Sequence, residues 1–203
     1  MNKEQKLLGY YNYTVVLTYI GMLTGFLGVV YAFEENITRA VLCLMIAGVC
    51  DMFDGTIAST KKRDSREKCF GIQIDSLSDL ICFGVLPASI IYNLNKYNRV
   101  VLGVAAVYVL CALMRLAYFN VDEQERQKST TEGRKVYYGM PVTLSAVFVP
   151  VIYWLANRFG VQSYVGMAGV LAVMAVLFLL PFQIKKPQLT AKLCLIGQLF
   201  VRS

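Results

Sequence analysis

The sequence predicts an all-α integral membrane protein with six transmembrane helices, and three properties of the chain support this class. Hydrophobic residues make up 57% of the 203 residues and charged residues only 16%, whereas a typical soluble domain has about 45–50% and 25%. The mean hydropathy is +0.53. Apolar stretches also recur at about the 20 residues that a helix needs to cross a bilayer. We therefore expect one membrane domain over residues 1–203.

Six segments have the required length when isolated polar residues are allowed within them. The first is preceded by a basic stretch but has no signal-peptide cleavage site, so we expect it to remain as a helix. The second ends, and the third begins, with a pair of aspartates. The fourth contains one arginine, the fifth begins with Tyr-Gly-Met-Pro, and the sixth is almost entirely apolar. The predicted helices span residues 13–33, 40–59, 70–92, 100–120, 138–156 and 163–182.

The lysines and arginines lie mainly on one side of these helices. Of the 20, 15 precede the first helix, follow the sixth, or lie in the loops after the second and fourth. Four lie in the opposite loops, and Arg115 lies inside the fourth helix. Because cytoplasmic loops carry an excess of these residues, we predict a multi-pass protein of the cytoplasmic membrane with both termini in the cytoplasm. Topology and attraction to anionic lipids then explain most of the net charge of +7, and nucleic acid is not an expected partner.

Two residue types limit the chemistry. The chain has no histidine, which excludes Ser-His and Cys-His hydrolases and the zinc proteases. Its six cysteines are scattered, mostly within apolar stretches and without a Cys-x-x-Cys pair, so we expect buried thiols and no structural zinc site. Acid and base chemistry is therefore left to carboxylates, lysine, tyrosine or cysteine.

Four of the 13 acidic residues lie in or at the ends of predicted membrane helices. Asp51 and Asp54, three residues apart, share a face at the end of the second helix, and Asp75 and Asp79, four apart, share a face at the start of the third. Since consecutive helices joined by a cytoplasmic loop are antiparallel neighbours, the four carboxylates should meet on the cytoplasmic side. Ionisable groups at membrane depth cost at least about 2.5–3.5 kcal/mol each and mark function by default. Helix capping and pairing with loop cations are the structural alternatives.

Carboxylates that converge repel one another unless cations neutralise them. Oxygen ligands without histidine or thiolate favour hard cations, so we predict two Mg²⁺ or Mn²⁺ ions held by the four aspartates, in a site that Ca²⁺ could also occupy. Such a pair can neutralise phosphate oxygens during a displacement reaction.

Small residues accompany the aspartates. Gly55, Ala58 and Gly71 leave helix faces bare, which would let a phosphate-bearing ligand approach the backbone. Close helix packing is the alternative for these positions. A second stripe on the first helix is expected to serve packing within the chain, with a dimer contact as the alternative; it consists of Gly21, Gly25 and Gly28.

Residues 51–79 resemble the signature of the CDP-alcohol phosphatidyltransferases, D-x2-D-G-x2-A-R-x8-G-x3-D-x3-D. Seven fixed positions occur in order with correct local spacing, namely Asp51, Asp54, Gly55, Ala58, Gly71, Asp75 and Asp79. Two departures are clear: Ser59 stands where the family has arginine, and the stretch before Gly71 is three residues longer than usual. Counted back from Gly71, Lys62 has the arginine spacing. Lys61, Lys62 or Arg63 could supply the missing cation to a diphosphate.

Further stretches are similar to the phosphatidylserine synthases of this family. These are Asp-Ser-Leu-Ser-Asp at 75–79, FGVLPA at 83–88, RLAYFN at 115–120 and YGMP at 138–141. The resemblance covers helices two to five. It implies transfer of the phosphatidyl group of CDP-diacylglycerol to the hydroxyl of L-serine, with release of CMP, by a homodimer.

The resemblance also implies roles for single residues. The metal pair would be held by Asp51, Asp54 and Asp75, while Asp79 would be the general base for the serine hydroxyl and a possible further metal ligand. The contacts to CDP would come from Gly55, Ala58, Gly71 and Lys62.

We predict that serine binds at the cytoplasmic end of the fourth helix, beside Arg115 and Asn120. Arg115 would receive the serine carboxylate, with Arg126, Arg134 and Lys135 as candidates in the following loop. The alternative for Arg115 is an ion pair with an aspartate or extension of its side chain to the interface.

Two other functions remain open. The same chemistry could use another acceptor, such as glycerol phosphate, inositol or inositol phosphate, or an archaeal ether-lipid donor. A small cation transporter could use the aspartates as an ion path, although no matching polar groups continue to the far side of the helices.

Overall fold

The computed structural model describes residues 9–58, 60–61, 63–95, 98–129, 136–160, 165–181 and 183–185. Seven α-helices form almost all of this part: α1 (Tyr13–Phe33), α2 (Ile37–Ala58), α3 (Ser65–Asp79), α4 (Leu86–Leu94), α5 (Arg99–Ser129), α6 (Ser145–Arg158) and α7 (Val165–Leu179). A π-helical segment, Leu80–Val85, joins α3 to α4, and a 3-10 turn, Val142–Leu144, precedes α6. The predicted helical architecture is confirmed. One addition is a short antiparallel pair of strands, β1 (Val136–Tyr138) and β2 (Gln183–Lys185).

Four helical stretches in the described residues are long and apolar enough to cross a membrane, namely Tyr13–Phe33, Ile37–Ala58, Ser65–Leu94 and Arg99–Arg126. They correspond to the first four predicted helices. The fifth and sixth correspond to shorter apolar helices, Val142–Arg158 and Gly166–Leu179.

Two helices extend further toward the aspartate side than expected. The third stretch begins at Ser65 because Asp64 caps α3, accepting a hydrogen bond from the Glu67 backbone N–H at 2.6 Å. α5 continues nine residues past the predicted end at residue 120, through a polar sequence rich in good helix formers. The predicted boundaries missed these turns because apolar length marks only the part of a helix that lies within the bilayer.

The glycine stripe of α1 packs inside the chain, as predicted. α1 lies along α2 and also contacts α3, the π-helical segment and α4. A Cβ atom added at Gly25 would lie 2.5 Å from the Cys82 sulfur, and one at Gly28 would lie 2.8 Å from the Cys43 Cβ. Only residues without a side chain allow the helices to approach so closely.

The buried core lies between α2, the π-helical segment, α4, α5 and α7. Its largest fully buried side chains include Leu44, Phe83, Leu86, Ile90, Tyr108 and Leu171. Four cysteines are buried free thiols, as predicted, whereas Cys69 is exposed; the buried ones are Cys43, Cys50, Cys82 and Cys111.

The outer surface of the helices is apolar. Exposed large hydrophobic side chains occur on every long helix, among them Leu23, Phe26, Leu42, Val107, Trp154 and Val173. A soluble monomer rarely exposes so much contiguous apolar surface. Together with the four long apolar helices, this surface indicates a membrane protein.

Candidate active site

Three of the four predicted aspartates bring their carboxylates together from α2 and α3. Asp51 and Asp54 occupy one face at the end of α2, and Asp75 lies in α3. One carboxylate oxygen from each residue lies within 4.8 Å of the other two. The spacing argument therefore identified a real cluster, which we call the aspartate cluster.

Asp79 lies beside this cluster but is not part of the group of three. Asp79 lies one turn after Asp75 on the same face of α3. It lines a small cavity together with Asp51 and Asp54. Its charge also interacts with those of all three carboxylates of the cluster and with that of Arg115. Asp79 therefore lies outside the group of three carboxylates that could hold one metal ion together.

Hydroxyl groups that sequence reasoning missed orient the cluster. The Thr18 hydroxyl of α1 donates a hydrogen bond to Asp54 Oδ2 at 3.2 Å. Ser78 Oγ in turn donates to the Thr18 backbone carbonyl at 3.4 Å. Both side chains are buried. The available signal was a polar residue inside an apolar helix, but only the packing of α1 shows which threonine reaches an aspartate.

The donor set suits a hard divalent cation. Three carboxylates supply only oxygen ligands, at a spacing that one ion can bridge. Asp54 is buried and the other two are half-buried, so water screens their mutual repulsion poorly. A bound cation would remove this repulsion. The residues present therefore fit a metal site, with Asp51, Asp54 and Asp75 as the ligands.

The small residues near the cluster differ in what surrounds them. Nothing lies within 4 Å of a Cβ added at Gly55, which is one turn after Asp51 on the same face. Ala58 is half-buried one further turn along α2. A Cβ at Gly71, one turn before Asp75, would lie 2.9 Å from Arg63 Nη1.

The basic loop between α2 and α3 places two cations differently. Lys61 Nζ forms an ion pair with Glu67 at 2.8 Å. Arg63 instead directs its guanidinium to Gly71, and its buried Nε has no hydrogen-bond partner within the described part of the chain. Lys62, the residue with the family spacing, and Ser59 lie outside the described residues.

Arg115 is buried at the predicted acceptor side of the site. Its Nε donates to the Met140 backbone carbonyl at 3.1 Å, and its guanidinium lies 5.0 Å from the centroid of the Phe119 ring. It also lines a cavity of about 580 Å³ bounded by the ends of α5 and α7. Arg115 thus lines this cavity and also interacts electrostatically with Asp79.

Asn120 and Arg126 have partners on the helices. Asn120 Oδ1 accepts a hydrogen bond from Ser76 Oγ at 2.7 Å, and its Nδ2 donates to Gln73 Oε1 at 3.4 Å. Asn120 thus joins α5 to the helix that carries Asp75. Arg126, expected in a loop, lies in the extension of α5 and pairs with Glu123 at 2.6 Å. Arg134 and Lys135 lie outside the described residues.

Comparison with known proteins identifies the class. The family model of the CDP-alcohol phosphatidyltransferases matches residues 11–181. The chain therefore belongs to the CDP-alcohol phosphatidyltransferase family. The match includes the aspartate cluster, Asp79 and the helix with Arg115. No solved structure gives a significant match.

Three curated relatives illustrate the similarity. Archaetidylserine synthase of Methanothermobacter thermautotrophicus is 29% identical over 156 residues, covering 75% of this chain and 62% of that protein. CDP-diacylglycerol–serine O-phosphatidyltransferase of Saccharomyces cerevisiae is 33% identical over 142 residues, covering 64% and 50%. The enzyme of the same name from Bacillus subtilis is 28% identical over 149 residues, covering 72% and 78%. The chain thus spans less than two thirds of the first two relatives.

Proposed function

We propose that this protein transfers the phosphatidyl group of CDP-diacylglycerol to the hydroxyl of L-serine, giving phosphatidylserine and CMP. The observation that carries the proposal is the aspartate cluster, whose three carboxylates lie within 4.8 Å of one another in a membrane bundle. The names of the relatives supply the acceptor. A phosphoryl-transfer site inside such a bundle also has a physical reason, because the acyl chains of the donor can stay in the bilayer.

In this mechanism each acidic residue has a separate task. Asp51, Asp54 and Asp75 would hold two Mg²⁺ or Mn²⁺ ions. Asp79 would be a further ligand to one of them. When bound, the ions would neutralise the donor diphosphate and favour departure of CMP. Asp79 would accept the proton of the serine hydroxyl as its oxygen attacks the phosphatidyl phosphorus and the bond to the CMP oxygen breaks.

The CDP end of the donor would lie along Gly55, Ala58 and Gly71. Of the three basic candidates, Arg63 is the best supported for the diphosphate, because its guanidinium lies at Gly71 whereas Lys61 is paired with Glu67. Lys62 stays a prediction. Arg63→Gln should raise KM for CDP-diacylglycerol at least tenfold, whereas Arg66→Gln, which removes an exposed cation in the first turn of α3, should not. An equal rise in KM in the two variants would show that Arg63 only attracts the anionic lipid in general and does not bind the diphosphate.

The serine end would lie at Arg115. Its burial, its electrostatic interaction with Asp79 and its place in the lining of the large cavity support a contact with the serine carboxylate. Asn120 remains a predicted serine contact, although its amide links α5 to α3 in this conformation.

We also propose the full topology predicted from the sequence. The two shorter helices would complete six spans, with both termini and the active site on the cytoplasmic side. Five basic residues lie between positions 61 and 68, in the loop between α2 and α3 and in the start of α3, and support this orientation. The homodimer stays a prediction, and the buried glycine stripe of α1 is not available as its interface.

One assay tests the function. Membranes containing the protein are incubated with Mn²⁺ or Mg²⁺, CDP-diacylglycerol and, separately, serine, glycerol phosphate, inositol or inositol phosphate, and CMP and the lipid product are measured. Serine-dependent CMP and phosphatidylserine are expected. Lipid product with another acceptor and not with serine would identify that acceptor as the substrate. No CMP with any acceptor would refute the transferase function.

A second candidate concerns only the donor. The similarity to archaetidylserine synthase favours a trial of the corresponding CDP-activated archaeal ether lipid with serine. A higher kcat/KM for the ether lipid than for CDP-diacylglycerol would identify it as the preferred donor.

A further inference from the structure

The helix that carries Asp79 widens immediately after it. Leu80–Val85 form a π-helical segment, in which the Leu86 N–H donates to the Ile81 carbonyl five residues back instead of four. π-Helical segments are rare and often occur at functional sites. Here the segment determines how α3, with Asp75 and Asp79, is rotated relative to α4.

The cause of the widening is Pro87. Proline has no N–H to donate to the carbonyl four residues earlier, and its ring clashes with that carbonyl in a regular α-helix. The affected carbonyl belongs to Phe83, which lies inside the π-helical segment. The wider turn relieves the clash, but the Phe83 carbonyl loses its α-helical donor.

Two buried hydroxyls from other helices bind that carbonyl. Tyr108 Oη of α5 donates to the Phe83 oxygen at 2.7 Å, and Ser145 Oγ, at the start of α6, donates to it at 3.3 Å. Both residues are 0% exposed. A buried carbonyl without a hydrogen-bond donor destabilises the fold. These two hydrogen bonds therefore stabilise the π-helical conformation in the core.

The Tyr108 bond also continues a line of contacts between α5 and the helix that carries the aspartates. Asn120 binds Ser76, Arg115 interacts with Asp79, and Tyr108, two turns before Arg115 on the same face, binds Phe83. We propose that Tyr108 and Ser145 are positioning residues for the reaction: their hydroxyls hold the π-helical segment and thereby keep Asp75 and Asp79 in register with Asp51 and Asp54. This inference rests on the proposed function.

The test removes the hydroxyls and keeps the side-chain shapes. Tyr108→Phe, Ser145→Ala and the double variant are purified in detergent and compared with the wild type. Tyr153→Phe is the matched control, because it removes a hydroxyl that contacts Thr38 at 3.3 Å between α6 and the opposite end of α2. For each protein we would measure the melting temperature, kcat and KM for CMP release, and Mn²⁺ affinity by electron paramagnetic resonance.

We expect Tyr108→Phe, which removes the shorter bond, to lower kcat about tenfold. Ser145→Ala should have a smaller effect. The double variant should lose more than the product of the single effects, because one carbonyl then loses both donors. Mn²⁺ affinity should fall at least threefold in the double variant, and KM for the lipid donor should stay within twofold.

The outcomes separate positioning from stability. A change beyond twofold in kcat or Mn²⁺ affinity in Tyr108→Phe, absent from Tyr153→Phe, supports the proposal. Values of both quantities within twofold of the wild type, even with a lower melting temperature, would overturn it. Should the double variant not fold, the single variants decide, since each keeps one donor. A wild type that binds Mn²⁺ but releases no CMP would refute the proposed function and leave positioning to be judged by Mn²⁺ affinity.

Discussion

Substitution of Thr18 by valine tests whether α1 contributes to the metal site. Valine keeps the branched shape and removes only the hydroxyl, which donates to Asp54 Oδ2 at 3.2 Å. Both Thr18 and Asp54 are 8% exposed, so water cannot easily replace the lost bond. A hydrogen bond to a charged group contributes about 1.5–3 kcal/mol, which corresponds to about 10- to 150-fold in an equilibrium constant. Groups that orient metal ligands typically affect metal affinity by about 10- to 100-fold.

The assay is an Mn²⁺ titration of CMP release, with direct Mn²⁺ binding measured in parallel. Thr18→Val should raise the half-activating Mn²⁺ concentration and the dissociation constant by at least tenfold. Thr24→Val is the matched control: its hydroxyl donates to the Ile20 carbonyl of its own helix at 2.8 Å, away from the site. Equal Mn²⁺ dependence in the two variants would show that the Thr18 hydroxyl does not orient a metal ligand.

Three further predictions concern the base, the acceptor and the packing of the site. Asp79→Asn should keep Mn²⁺ and lipid binding while CMP release falls at least about 100-fold; an active variant would remove Asp79 as the base. Arg115→Lys should raise the KM for serine about tenfold or more while KM for CDP-diacylglycerol is unchanged, and unaltered serine kinetics would contradict this. Gly25→Ala should destabilise the protein by about 1–3 kcal/mol, because its Cβ would lie 2.5 Å from the Cys82 sulfur. Gly103→Ala, with nothing within 4 Å of the new Cβ, should leave the melting temperature in detergent equal or higher, and equal losses in both variants would refute the packing argument.

The part of the site predicted best depends on local geometry. Asp51 and Asp54 share a face because three residues span almost one helical turn. The next helix returns antiparallel, so Asp75 had to lie near them. These inferences needed only helical periodicity and a short loop, and the distances among the three carboxylates agree with them.

The parts that were missed depend on contacts between distant segments. No periodicity connects Thr18 with Asp54, 36 residues later. Likewise, the sequence left three basic residues as candidates for the diphosphate, with Lys62 at the family spacing. Only the structure shows that Lys61 pairs with Glu67 and that Arg63 approaches Gly71.

The sequence by itself determined the membrane class, the order of the apolar helices and the cluster of aspartates, because hydropathy and helical periodicity act over one or two helices. Tertiary structure alone decided which hydroxyls orient the aspartates, which cation reaches Gly71, and how the helix after Asp79 is wound. Pro87 predicts an interruption of the helix. The conformation at this interruption depends on Tyr108 and Ser145, which donate to the Phe83 carbonyl from two other helices. The register of the site is therefore a property of the packed bundle, since the donors that stabilise it are remote in the chain.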